Sequence, residues 1–215
     1  IEHRYYGPSN PFDDLSTEHL GWLNSEQAAG DIASFHQHIS KEYETGSNNK
    51  WITWGGSYPG MMAAIARLRY PHLIHAAVSS SSPLQAQVDM VGYNDVVAQS
   101  MAATSVGGSQ KCLDVIVEGH KTIGEMLETS AGQKKLERIF NVCEESPLSN
   151  VKNQEEFAGN GVVYLPVQSN DPECTTPYCN IDSICQLMTD DEAGDSLDKL
   201  QQLSKFQHAG SCVMA

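Results

Sequence analysis

"WITWGGSYPGMMAAIARLRYPH", residues 51–72, opens apolar and extended, breaks at Gly55 and Gly56, presents Ser57, and runs on as a helix that stops before Pro71. A chain that only had to turn would be served by Asn-Gly or Pro-Gly. A serine between a buried strand and a helix points instead to a nucleophile. On a sharp strand-to-helix turn the hydroxyl is exposed, the amide of the next residue, here Tyr58, faces the oxyanion that forms on a substrate carbonyl, and the helix N-terminus adds a field favourable to negative charge. Pro59 stands where such turns usually have glycine, and Gly60 follows it. Proline is tolerated in a first helical turn but disfavours helical geometry at Tyr58, which predicts a slightly altered turn. The bland alternative is a glycine-rich turn with no chemistry. No lysine follows the glycines, which argues against a phosphate loop.

Outward from this stretch the pattern alternates. "IEHRYYG" at 1–7 reads as a short strand closed by a glycine turn, with Glu2 and Arg4 on one face as a structural ion pair. "NSEQAAGDIASFHQHISKEY" at 24–43 reads as a helix with Ser25 as N-cap and Ala28, Ala29, Ile32, Phe35, Ile39 and Tyr43 at helical spacing. "LIHAAVSSSSP" at 73–83 reads as a third strand. Strand, helix, strand, helix, strand predicts a parallel sheet covered on both faces. Ser57 then lies at the carboxyl end of the middle strand, where α/β folds place their ligands.

After Pro83 helical periodicity replaces alternation, in "YNDVVAQSMAA", "SQKCLDVIVEGHKTIGEMLET", "QKKLERIFNVC", "IDSICQLMTD" and "DSLDKLQQLSKF", with the glycine-rich "AGNGVVYLPVQSNDPECTTPYC" between the third and fourth. The expected organisation is an α/β unit over 1–85 and a mostly helical, disulfide-stapled cap over 86–215. All six cysteines, Cys112, Cys143, Cys174, Cys179, Cys185 and Cys212, fall in the second region. An even number confined to one region reads as a disulfide framework, and so as a protein of the secretory route: secreted, lysosomal or vacuolar. Zinc is the rival reading of Cys174-x4-Cys179-x5-Cys185, weakened by the lack of a C-x2-C pair and of any histidine between 121 and 207. Six cysteines allow fifteen connectivities, so spacing alone selects none.

Acidic residues outnumber basic ones by 27 to 13, for a net charge of −14. Nucleic acid and anionic membrane surfaces are therefore poor candidate partners. No stretch approaches the roughly 18–20 apolar residues of a membrane span, so no membrane insertion is expected. The chain opens on Ile1 rather than Met, and a three-stranded sheet with two free edges would expose unpaired backbone. Both features lead to the expectation of a chain cut from something longer.

Several stretches together resemble a known family: "EHRYYGPS" at 2–9, "LNSEQAAGDIASF" at 23–35, "GGSYPG" at 55–60, "RYPHLIHAAVSSSSP" at 69–83, "YNDVVAQSMAATSVGGSQKC" at 93–112 and "TPYC" at 176–179. They are similar to the serine carboxypeptidases that cut beside proline, the family of lysosomal prolyl carboxypeptidase and its dipeptidyl peptidase relative, and in the cap to the thymus-specific branch. The resemblance implies a partial α/β-hydrolase core interrupted by a helical cap, a Ser-Asp-His triad, and exopeptidase action on proline-containing peptides through an acyl-enzyme, with no metal or organic cofactor. It carries Ser57 over as nucleophile and Tyr58 as backbone oxyanion donor. It suggests the pairs Cys112–Cys185, Cys143–Cys212 and Cys174–Cys179. Pro59 departs from the family's usual Gly or Ala.

The family's triad Asp and His have no matching positions here, and the loop that supplies its second oxyanion donor would precede Ile1. The segment by itself is therefore expected to be inactive. His36, His38, His72, His75, His120 and His208 read as ordinary surface or core histidines rather than as the missing base. An esterase or lipase, and a non-catalytic binding protein on the same fold, are the alternatives. Carboxypeptidase and dipeptidyl peptidase action are not separated by this sequence, and a homodimer is left open.

Overall fold

A computed structural model describes residues 1–214. The chain divides into two compact units, Ile1–Val88 and Asp89–Ala215, each with its own core.

The first unit runs α1 (Ser25–Glu42), β1 (Trp51–Gly56), α2 (Tyr58–Arg69) and β2 (Ile74–Ser80). β1 and β2 pair in parallel, from Trp51 opposite Ile74 to Gly56 opposite Ser80, with a register shift after Trp51. The crossover that parallel pairing needs is α2, which lays Met62, Ala63 and Ala66 on the sheet. Thr53 Oγ1 donates to the Ala63 carbonyl at 3.1 Å, tying strand to helix. Ala28 and Ala29 of α1 close the core against Met62, small side chains that let the two helices approach. α1 is capped one residue earlier than expected: Asn24, not Ser25, accepts the Gln27 N–H at 2.9 Å.

Two expectations are corrected in this unit. The sheet is covered on one face only, since Ile52 and Trp54, two apart and so on the same side of β1, stand 58% and 79% exposed. Residues 1–7 form no strand. They turn, with Tyr5 at φ +71° and Gly7 at φ +51°, into a 3-10 helix over Gly7–Ser9. Side chains account for the difference. Arg4 does not pair with Glu2 but forks onto Asp31 of α1 through two bonds of 2.7 Å. Glu2 instead accepts the Ser9 N–H at 3.0 Å, and the Tyr5 hydroxyl donates to the His19 carbonyl. A bidentate, charge-assisted pair outweighs the weak strand preference of a short aromatic run. Its hydrogen bond to Asp31 also raises the Arg4 pKa above the usual value.

The second unit contains α3 (Gly92–Ala102), α4 (Gln110–Leu127), α5 (Ser130–Phe140), α6 (Val151–Glu156) running into a π-helical turn Phe157–Gly161, α7 (Ile181–Thr189) and α8 (Ser196–Gln207). α4 is the central helix and packs on α3, α5, α7 and α8. Its residues Ile116 and Ile123 meet Leu136, Phe157, Ile184, Met188, Leu200 and Leu203 in the core. A Cβ on Gly119 would run into the Leu200 side chain, so this glycine sets the close approach of α4 to α8. Side-chain caps start the helices: Ser109, Thr129, and the capping boxes Asn180/Ser183 and Asp195/Asp198. At the end of α7, Lys199 Nζ donates to the Met188 carbonyl and Lys111 Nζ to that of Thr189, at 3.0 and 3.2 Å, positive groups at a helix C-terminus.

Three disulfides staple this unit. Cys112–Cys185 joins α4 to α7, Cys143–Cys212 joins the segment after α5 to the last residues, and Cys174–Cys179 closes a short loop. Beside the second, Val142 and Val213 form a parallel bridge. The zinc reading of 174–185 fails because all three of its sulfurs are oxidised. α6 and the π-helical turn were not expected from the sequence. Among the described residues no helix is long and apolar enough to cross a membrane.

Candidate active site

Ser57 sits between the last residue of β1 and the first of α2, at φ +58° and ψ −129°. Only glycine occupies positive φ readily, so the turn holds this serine in a strained backbone. Its N–H donates to the Ser80 carbonyl at 3.0 Å and its carbonyl accepts from Met61 at 3.1 Å. The side chain is exposed and makes no capping bond to the helix.

The surroundings explain how the strain is held. A Cβ on Gly55 would collide with the Pro59 carbonyl, and one on Gly60 would meet Ser82 Oγ and lie 2.9 Å from the Gly55 and Ser80 carbonyl oxygens. These two glycines let the first turn of α2 rest directly on the strand ends, whereas Gly56 has room for a methyl group. The serine run at the end of β2 serves the same seat: Ser79 Oγ lies 2.9 Å from the Gly60 carbonyl oxygen and 2.7 Å from Ser82 Oγ, with one hydroxyl hydrogen to share between them. Pro59 falls in the first turn, where an N–H has no helical partner. Tyr58 is helical despite the proline that follows it.

Tyr58 is anchored through its ring. His3 Nε2 lies 3.2 Å from the Tyr58 hydroxyl and Ser25 Oγ 3.1 Å from it, while His3 Nδ1 is 2.8 Å from the Arg4 carbonyl. The segment read as a strand and the start of α1 therefore converge on the residue after Ser57. His3 and Ser25 were not singled out from the sequence as site residues, although both lie in stretches that carry the family resemblance. The Tyr58 N–H opens α2, and the first N–H groups of a helix have no partner within it. Beside it a cleft of about 330 Å³ runs over Ile1, Trp54, Tyr58, Pro59 and Met62.

Among the described residues no histidine bonds to Ser57. His36 packs on Trp51 with ring centroids 4.6 Å apart, and His38 pairs with Glu42 on α1. His72 and His75 line a cavity together with His36. In the second unit His208 Nε2 is 3.1 Å from the Gly161 carbonyl, and burial pushes the His120 pKa below its usual value.

Fold and geometry together define an α/β protein that exposes a serine side chain at the carboxyl end of a parallel strand, at the N-terminus of a helix. The chain belongs to the serine carboxypeptidase S28 family of serine peptidases, whose profile matches residues 1–214. It is 36% identical to the human thymus-specific serine protease over 188 residues, covering 84% of this chain and 36% of that protein. The mouse thymus-specific serine protease gives the same identity and coverage. Human lysosomal Pro-X carboxypeptidase is 32% identical over 207 residues, covering 91% of this chain and 41% of that protein. The chain thus spans roughly two fifths or less of the length of these relatives.

Proposed function

We propose that this chain supplies the nucleophile and the helical cap of a serine exopeptidase that hydrolyses peptide bonds beside proline. Residues 1–85 carry part of an α/β-hydrolase core, and residues 86–215 the cap. The observation that carries the reading is the Ser57 backbone: a non-glycine residue at φ +58° between strand and helix, its side chain directed to solvent. That conformation is what a nucleophile elbow requires.

In this reading Ser57 Oγ attacks the scissile carbonyl while a histidine takes its proton. Negative charge gathers on the carbonyl oxygen, where the Tyr58 N–H donates to it. The tetrahedral intermediate collapses as the histidine returns the proton to the leaving amine, and water then releases the acyl group by the same route. The histidine and the aspartate that orients it are assigned to the part of the family's length that this chain does not align with. Proline preference rests on the family resemblance and on the relative named for Pro-X cleavage. Three disulfides support folding in an oxidising compartment, whether secreted, lysosomal or vacuolar.

The test is fluorophosphonate labelling of the full-length protein, followed by hydrolysis of a proline-containing peptide and of a nitrophenyl ester. Labelling that maps to Ser57, disappears in Ser57→Ala, and accompanies peptide cleavage supports the reading. Absence of labelling points to a binding protein, and ester cleavage without peptide cleavage points to an esterase. Either result ends the peptidase proposal.

A further inference from the structure

The end of the sheet opposite Ser57 holds a site that the peptidase reading does not use. At the amino ends of β1 and β2, a strand length of roughly 20 Å from Ser57, a cavity of about 360 Å³ opens between the last turn of α1, the loop into β1 and the connection from α2 to β2. Its donors include His36, Ser40, Asn49, Lys50, His72 and His75, with the Thr45 and Ser47 hydroxyls beside them, and among the described residues no carboxylate lines it. In a chain with 27 acidic residues against 13 basic ones, that exclusion is a local reversal of charge.

A second observation points into the same place. His36 and Ser40 are four residues apart and share one face of α1. His36 Nδ1 and Ser40 Oγ are both buried and lack a hydrogen-bond partner among the described residues, although buried polar atoms are nearly always paired. The packing of the His36 ring on Trp51 keeps that imidazole from swinging out to solvent. Both residues also line the cavity.

We propose that this cavity binds a small tetrahedral oxyanion of the phosphate class, held by His36, Ser40, Lys50, His72 and His75. A phosphate offers acceptor oxygens in several directions, which suits donors arriving from three separate segments; a carboxylate offers its oxygens in a single plane. A shared metal ion fits less well. Among the described residues the only His, Cys, Asp or Glu group drawn together closely enough to share an ion is Cys143, Glu145 and Cys212, and its sulfurs are joined in a disulfide. The ligand is either the free ion or the phosphomonoester end of a larger molecule.

Histidine side-chain resonances of the whole protein, followed while inorganic phosphate, phosphoserine or sodium chloride is added at matched ionic strength, test this without reference to Ser57. The expected result is saturating shifts at His36, His72 and His75 with phosphate and none with chloride. Ser40→Ala and Lys50→Ala should each weaken that response about fivefold or more, with melting curves showing that the variants fold. Phosphoserine matching phosphate assigns the site to phosphomonoesters, and phosphate alone assigns it to the free ion. Equal shifts with chloride, a response unchanged in both variants, or saturation by zinc in place of phosphate would overturn the proposal. If a variant fails to fold, the phosphate-against-chloride comparison on the unaltered protein decides by itself.

Discussion

Ser57 carries a Cβ in a backbone conformation that disfavours one, at a cost of about 1–3 kcal/mol. Ser57→Gly removes that penalty and returns about 0.5–1 kcal/mol through the greater freedom of an unfolded glycine. Relief of strain outweighs the lost entropy, so the glycine variant should be more stable than Ser57→Ala, which keeps the Cβ, by about 1 kcal/mol. Urea midpoints of the two variants measure the difference, and a glycine variant equal to or weaker than the alanine variant would mean that the turn stores no strain. The neighbouring glycines give a sharper contrast. Gly55→Ala and Gly60→Ala drive a methyl group into backbone oxygens or the Ser82 hydroxyl and should each lose about 2 kcal/mol or more. Gly56→Ala, whose methyl meets only the Ser80 carbonyl oxygen at 3.9 Å, should lose less than half as much. Three equal losses in thermal or chemical unfolding would contradict the packing described at this turn.

At the scale of elements, α4 holds a titratable group in an unfavourable place. Burial lowers the His120 pKa in the folded state below the ordinary 6.5, so as pH falls the unfolded chain binds the proton first. Stability is fully present above about pH 6.5 and declines as the pH drops from there toward the folded-state value. His120→Leu removes the ionisable group, and its unfolding free energy should fall less between pH 7 and pH 5 than that of the unaltered protein. Parallel pH dependence of the two would show that His120 is solvated. Much of the element pattern is legible in the sequence: β1, α2 and β2 stand where period and punctuation put them, as do the principal helices after Pro83. The failures share a physical cause. Residues 1–7 have strand-like composition, but Arg4 finds its partner 27 positions away on α1, a contact that no local pattern encodes. Asn24 displaces Ser25 as cap because both are good caps and only the direction from which the chain reaches the helix chooses between them. The short α6 and the π-helical turn lie in or beside a glycine-rich stretch whose helicity comes from burying Phe157 and Val162 in the core, which is tertiary packing rather than local preference. Around Ser57 the strand–turn–helix is legible, while the anchoring of Tyr58 by His3 and Ser25 depends on the fold of the misread first segment.

Across the whole molecule the cross-links are unevenly placed. Every cysteine lies between 112 and 212, so the first unit is held by its small core and by side-chain bonds, while the second adds closed loops to a larger core. Chain-entropy reasoning gives about 4 kcal/mol for each disulfide that closes a loop of 73 or 69 residues and about 2 kcal/mol for the one that closes 5. Two long-range cross-links therefore contribute an amount comparable with the whole net stability of a typical domain, about 5–15 kcal/mol. A thiol reductant should thus accelerate amide hydrogen exchange throughout α4, α7 and α8, which Cys112–Cys185 and Cys143–Cys212 brace, and leave the exchange of α2 and β1 unchanged. Because Cys174–Cys179 closes only a short loop, replacing that pair alone with alanines should lower the protection of α4 by no more than about thirtyfold relative to the oxidised protein, the roughly 2 kcal/mol that its loop carries. Exchange followed by mass spectrometry with and without reductant reads both effects. Faster exchange in β1 on reduction, or unchanged exchange in α4, would mean that the stability of these elements is not governed by the cross-links that join them.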